Sequence, residues 1–194
     1  SKIKCKIVYT GFVIRESLKK IKKIKWGNNG DMIASCGGSP IGQKILTTSI
    51  ECHQNHFRDR KLYIFLNPHL NGLERKIHNF KYLKNVFIQE FSWNFIDHLK
   101  SSALSISMAG YNSIIETIST ATPAIVVPYN KNREQLSRVL KLKNENRFEI
   151  INMDDLNSNT LYTKINNITG YDSISSDINI RGTEFISDYL RELA

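Results

Sequence analysis

Short apolar runs of strand length, each followed by a stretch of helical period, recur along the chain. No other feature limits the fold so strongly. The runs are Ile7-Val8-Tyr9, Met32-Ile33-Ala34, residues 62–66, Val86-Phe87-Ile88, residues 103–106, residues 124–127 and residues 148–151. Helical spacing follows them: Ile41, Ile45 and Leu46 after Pro40; Phe95, Ile96 and Leu99 between Trp93 and Lys100; Ile114, Ile115 and Ile118 after Ala109-Gly110; Leu136, Val139 and Leu140 after Pro128. Two further amphipathic helices are predicted near residues 155–168 and 182–193. Such alternation predicts a parallel sheet covered by helices on both faces. The runs lack polar alternation, which fits strands buried on both sides. With no repeat or linker visible, the expectation is one Rossmann-like, doubly wound α/β domain over residues 1–194. The chain opens directly on a strand-like run, as a piece of a longer chain would.

Length and composition remove several classes. At 194 residues the chain can bury a core without staples. Cys5, Cys36 and Cys52 are odd in number and form no CxxC, which argues against a disulfide framework or zinc site and for a reducing, cytoplasmic setting. No apolar run approaches the ~20 residues of a membrane span, and the first residues do not read as a signal peptide. The formal charge is +9, and residues 1–26 carry nearly all of it, with nine Lys and Arg against Glu16 alone. That segment reads either as a solvated Lys-rich helix or as a contact for an anionic membrane surface or an acidic partner. No aromatic-interleaved basic stripe or known motif points to nucleic acid, which is excluded as a partner.

In open parallel sheets, ligands bind beyond the carboxyl ends of the strands, so the residues after each run matter most. Ser35-Cys36-Gly37-Gly38-Ser39-Pro40 offers glycines for close backbone approach, Ser39 as an N-cap and Pro40 as a first helical residue. A helix entered this way presents amides and a positive dipole end to an anion. Gly110, Tyr111 and Glu116 follow a later run. Glu116 has two readings: a carboxylate for ribose hydroxyls, or the acid of a Ser113-x-x-Glu116 capping box. After Pro128, Asn132 reads as a cap, and Glu134 and Arg138 as a surface pair.

In order, the chain carries Tyr9-Thr10-Gly11-Phe12-Val13-x-Arg15, Ser35-Cys36-Gly37-Gly38-Ser39-x-x-Gly42, Ser107-Met108-Ala109-Gly110-Tyr111-Asn112-x-x-x-Glu116, Thr122-Pro123-Ala124-x-Val126-Val127-Pro128 and Arg133-Glu134-Gln135. This resembles the carboxyl-terminal, donor-binding half of GT-B glycosyltransferases of family 28, the MurG-like enzymes, over about residues 5–145. The resemblance implies a UDP-sugar (UDP-GlcNAc-like) donor, with the acceptor held by an amino-terminal domain or partner subunit outside this sequence. It implies that Gly37, Gly38 and Ser39, with Arg15, face the donor diphosphate. Glu90, Phe91 and Ser92 would read the uracil edge, Gly110 and Tyr111 would form the second Gly-led helix entry, and Glu116 would hold the ribose. Glu134 and Gln135, with Arg138, would address the sugar. The family often has Gln-Gln where this chain has Glu134-Gln135, which leaves the sugar open, and an Asn where it has Arg138, which adds charge near the diphosphate.

No DxD triplet is present; Asp154-Asp155 are adjacent and follow no predicted strand. Metal-free transfer is therefore expected, and the resemblance adds inversion. No cofactor is expected. His53-x-x-His56 reads as surface polarity without a third ligand, His98 as a structural or surface residue, and Cys36 as a small buried residue. The general base is expected on the acceptor side, leaving the isolated chain inactive and peripheral to the membrane. Two rival readings stay open: a UDP-sugar epimerase or hydrolase on the same fold, and a non-enzymatic basic adaptor.

Overall fold

A computed structural model describes residues 5–13, 30–36, 41–66, 80, 82–89, 92, 94–142, 147–168 and 181–193. Within them lie six strands: β1 (Met32–Ser35), β2 (Leu62–Phe65), β3 (Val86–Gln89), β4 (Leu104–Met108), β5 (Ala124–Val127) and β6 (Phe148–Ile150). The helices are α1 (Gly42–His56), α2 (Phe95–Ser101), α3 (Tyr111–Thr120), α4 (Arg133–Leu142), α5 (Ser158–Ile168) and α6 (Gly182–Leu193). The strands form one sheet in the order β3-β2-β1-β4-β5-β6, and every pairing is parallel. This is the doubly wound α/β arrangement that the alternation of runs predicts.

Successive strand residues point to opposite faces, and both faces are filled. Met32 and Ala34 of β1 pack with Ile45, Leu46 and Ile50 of α1, while Ile33 turns to Phe65 and Leu99. In β5, Ile125 and Val127 join a core with Leu161 and Ile165 of α5. Ala124 and Val126 meet Ile114 and Ile118 of α3 and Val139 and Leu142 of α4. Each such buried aliphatic side chain contributes about 1.5–3 kcal/mol, so the central strands, buried along their whole length, anchor the domain. β4 departs from a continuous apolar run. Ser105 and Ser107 are buried between Leu104, Ile106 and Met108, and their small side chains leave room for α3 on that face.

The other differences have local causes. Ile7-Val8-Tyr9 forms no strand; Tyr9 is 90% exposed. The segment is held instead at Phe12, whose carbonyl accepts the Gly182 N–H at 2.9 Å. α1 is described from Gly42, with Ile41 before it; Ser39 as the cap and Pro40 as the first helical residue lie outside the described residues, as does most of the Lys-rich stretch. α5 starts at Ser158, capped by Asn157 Oδ1, which accepts the Thr160 N–H at 2.9 Å.

His53 is not a surface residue. It is fully buried, with Nε2 2.7 Å from the Arg60 carbonyl and Nδ1 3.0 Å from Gln54 Nε2. Burial lowers its pKa, opposed by the bond to Arg60. His56 stacks on Tyr162 with ring centroids 4.1 Å apart, so the two rings occupy different surroundings. Among the described residues no three His, Cys, Asp or Glu side chains gather as metal ligands. Burial pushes the Cys52 thiol up to about 12, against a hydrogen bond with Ser158, and Cys36 is buried as expected. No helix among the described residues is long and apolar enough to cross a membrane.

Candidate functional site

From β1 the chain builds outward through β2 and β3; from β4 it builds the other way through β5 and β6. β1 and β4 are neighbours, with Ser35 level with Ser107. The winding reverses between them, and the carboxyl ends at such a reversal open into a crevice. Cys36 and the turn at Ala109-Gly110 follow these two strand ends.

The helix that follows β4 into this crevice differs from those farther along the sheet. α1 is described from Gly42, and Ile41 before it already has helical backbone angles. α3 has Gly110 at its N-cap, with no side-chain cap hydrogen bond. By contrast, α4 is capped by Asn132 Oδ1, which accepts the Gln135 N–H at 3.1 Å, and α5 by Asn157. The first four amides of a helix lack intrahelical partners. At the reversal point those of α3 are left without the Ser, Thr, Asn or Asp side chain that would ordinarily serve.

Two glycines shape this edge for different reasons. A Cβ on Gly42 would lie 2.3 Å from the Cys36 Cβ and 3.3 Å from its Cα. Only hydrogen fits, and α1 therefore starts against the end of β1. The sequence motif contained Gly42, but nothing local to it announces this contact. Gly110 is the opposite case. Its φ of −66° and ψ of 150° suit any residue, and an added Cβ would meet only Ser113 Oγ, at 3.6 Å. Neither backbone conformation nor packing calls for glycine there.

Glu116 is half-buried on the second turn of α3. Since α3 begins at Tyr111, with Gly110 as cap, the capping-box reading of Ser113 and Glu116 is not met, and Glu116 is not in the first turn. It follows Asn112 and Ser113 by four and three residues, the spacing that places them on one helix side. The carboxylate and the uncapped amides are thus carried by the same short helix.

The turn after β5 meets this edge from the other side. The Tyr129 N–H donates to Gln135 Oε1 at 2.9 Å, which fixes Gln135 at the start of α4. Glu134 is paired with Arg138. Arg138 Nη1 donates to the Ala109 carbonyl at 2.7 Å, and the guanidinium lies 5.5 Å from the Tyr111 ring centroid. Phe12 approaches the same ring, with centroids 5.9 Å apart. Ser92, beyond edge strand β3, accepts the Asn94 N–H on its Oγ at 3.1 Å, leading into α2, which packs beside α3. The structure thus brings together Gly110, Tyr111, Glu134, Gln135 and Arg138, with Glu116 one turn along. Arg15, Gly37, Gly38, Ser39, Glu90 and Phe91 lie outside the described residues.

Known proteins share the family and the fold. The family model for the glycosyltransferase family 28 C-terminal domain matches residues 32–173. A UDP-N-acetylglucosamine--N-acetylmuramyl-(pentapeptide) pyrophosphoryl-undecaprenol N-acetylglucosamine transferase from Caldanaerobacter subterraneus is 24% identical over 89% of this chain and 50% of its own. The protein of the same name from Borreliella burgdorferi is 30% identical over 80% of this chain and 43% of its own. The chain thus spans about half the length of these relatives. Among solved structures, MurG of Acinetobacter baumannii superposes with a TM-score of 0.62 at 13% identity, over 84% of this chain and 50% of that one. UDP-GlcNAc 2-epimerase from Neisseria meningitidis, bound to UDP-GlcNAc, gives 0.62 at 15% identity, over 85% and 46%. On the family match, the sequence relatives and the six-strand parallel sheet together, the chain belongs to glycosyltransferase family 28 as a MurG-like carboxyl-terminal domain of the GT-B fold.

Proposed function

We propose that residues 1–194 form the donor-binding half of a UDP-sugar glycosyltransferase, taking a UDP-GlcNAc-like donor. The observation that carries this reading is the uncapped start of α3, beside the start of α1, at the winding reversal of a family 28 domain. Oriented amides and dipole ends suit a diphosphate and grow in value as the leaving nucleoside diphosphate gathers charge. Gly37, Gly38, Ser39 and Arg15 belong to the diphosphate side of this reading. Glu90, Phe91, Ser92, Gly110, Tyr111 and Glu116 belong to the nucleoside, Glu134 and Gln135 to the sugar. Fixed electrostatics of this kind need no metal, and we include metal-free, inverting transfer in the proposal. The acceptor and the general base come from a second domain or subunit, and the Lys-rich residues 1–26 suit contact with an anionic membrane surface.

The names of the sequence relatives support a transferase. The 2-epimerases share the fold at low identity, and the two activities differ in a measurable way. Release of UDP from a UDP-sugar by the full enzyme without any acceptor would support an epimerase or hydrolase. For donor binding, calorimetric titration of this chain is expected to show uptake of UDP and UDP-GlcNAc, with GDP at least about tenfold weaker. Glu116→Ala is expected to weaken UDP by roughly tenfold or more through the lost charged hydrogen bonds. It should also remove the preference for UDP over its 2′,3′-dideoxy analogue. Silence from all three nucleotides would defeat the reading.

A further inference from the structure

We infer that Arg138 is a positioning residue that aims the Gly110 amide at the nucleotide and does not itself contact the donor sugar; this rests on the donor-site reading above. The Arg138 side chain is only 10% exposed. One nitrogen, Nη1, donates to the Ala109 carbonyl at 2.7 Å, across 29 residues of sequence, and Nη2 is paired with Glu134. The flat guanidinium also lies against Tyr111. It therefore grips the residue before Gly110 by its carbonyl and the residue after by its ring. Ala109 is itself fully buried and donates its N–H to the Val127 carbonyl at 3.1 Å, which ties the turn to β5.

Peptide geometry turns this grip into a direction. The Ala109–Gly110 peptide is trans, and in a planar trans peptide the C=O and N–H point opposite ways. Holding the Ala109 oxygen toward α4 thus sends the Gly110 N–H away from Arg138. The Gly110 carbonyl is fixed in turn by the Ile114 N–H at 3.1 Å, so both peptide planes flanking this glycine are set. Glycine would otherwise leave them the freest in the chain. Arg suits the task because its planar fork serves carbonyl, carboxylate and ring together, which a Lys ammonium cannot match.

The test is titration of wild type, Arg138→Met and Arg138→Lys with UDP and with UDP-GlcNAc, beside the amide spectrum of the ligand-free proteins. Arg138→Met is expected to weaken both ligands by the same factor, roughly tenfold, the worth of one oriented hydrogen bond to a charged ligand. Arg138→Lys is expected to recover part of this, since one donor still reaches the carbonyl. The Gly110 amide resonance should move in both variants before any ligand is added. If Arg138→Met does not fold, Arg138→Lys and its Gly110 resonance carry the test. A loss confined to UDP-GlcNAc would make Arg138 a sugar contact and overturn the inference, as would unchanged affinities or an unmoved Gly110 resonance. If wild type binds neither nucleotide, the donor-site reading falls and takes the inference with it.

Discussion

Gly110→Asp is expected to abolish UDP binding, by about a hundredfold or more, while the protein stays as stable as wild type. The two effects oppose each other because they draw on the same amides. Gly110 is the N-cap residue of α3, in the extended conformation that an Asp cap adopts, with no side-chain cap in place. An Asp there would accept one of the free amides and meet the positive end of the helix, so stability should change by no more than about 0.5 kcal/mol in either direction. The same carboxylate would occupy the seat and repel a diphosphate, at a cost of about 3 kcal/mol, or a hundredfold. Gly110→Ala serves as the steric control, since its Cβ would have only Ser113 Oγ near it. Binding retained in Gly110→Asp, with the melting temperature lowered, would mean that this glycine serves the fold alone.

Gly42→Ala should act in the reverse way, through the fold first. Its Cβ would stand 2.3 Å from the Cys36 Cβ. The obstacle is a Cβ attached to a strand end, so no flexible tip can swing aside. α1 would have to back away from β1, breaking contacts of Ile45 and Leu46, both fully buried. Overpacking of this severity costs about 3 kcal/mol, which in a domain of this size lowers the melting temperature by roughly 6–12 °C. Because the opposing atom is named, a second change can test the cause. Cys36→Gly in the Gly42→Ala background removes the clash and should recover part of the loss, a coupling of about 1–2 kcal/mol. Full stability in Gly42→Ala, or no coupling to Cys36, would contradict the close approach.

These residues also mark where reading the sequence succeeds and where it stops. The sheet was legible because strands such as 124–127 are buried on both faces, so burial leaves a continuous apolar run. Ile7-Val8-Tyr9 has the same local composition and forms no strand, since a strand is defined by its neighbour and a run of three residues does not reveal one. The pattern Ser113-x-x-Glu116 matches a capping box, yet α3 starts three residues earlier, directly after the Ala109-Gly110 turn that ends β4. His53-x-x-His56 looked like surface polarity, but residue 53 faces the core and residue 56 faces Tyr162. Asn132 and the Glu134–Arg138 pair were legible because both are local to one helix. The bond from Arg138 to Ala109 spans 29 residues, and no short-range pattern encodes it.

The central claim is that the helix starts of α1 and α3 receive the nucleotide. Amide chemical shifts followed while UDP is added to the ¹⁵N-labelled chain test it residue by residue. The largest movements are expected at Gly110, Tyr111 and Asn112 and at Gly42 and Gln43, with His56 and Thr120, at the far ends of the same helices, left in place. Movements concentrated at those far ends, or a spectrum unchanged by saturating UDP, would contradict the account.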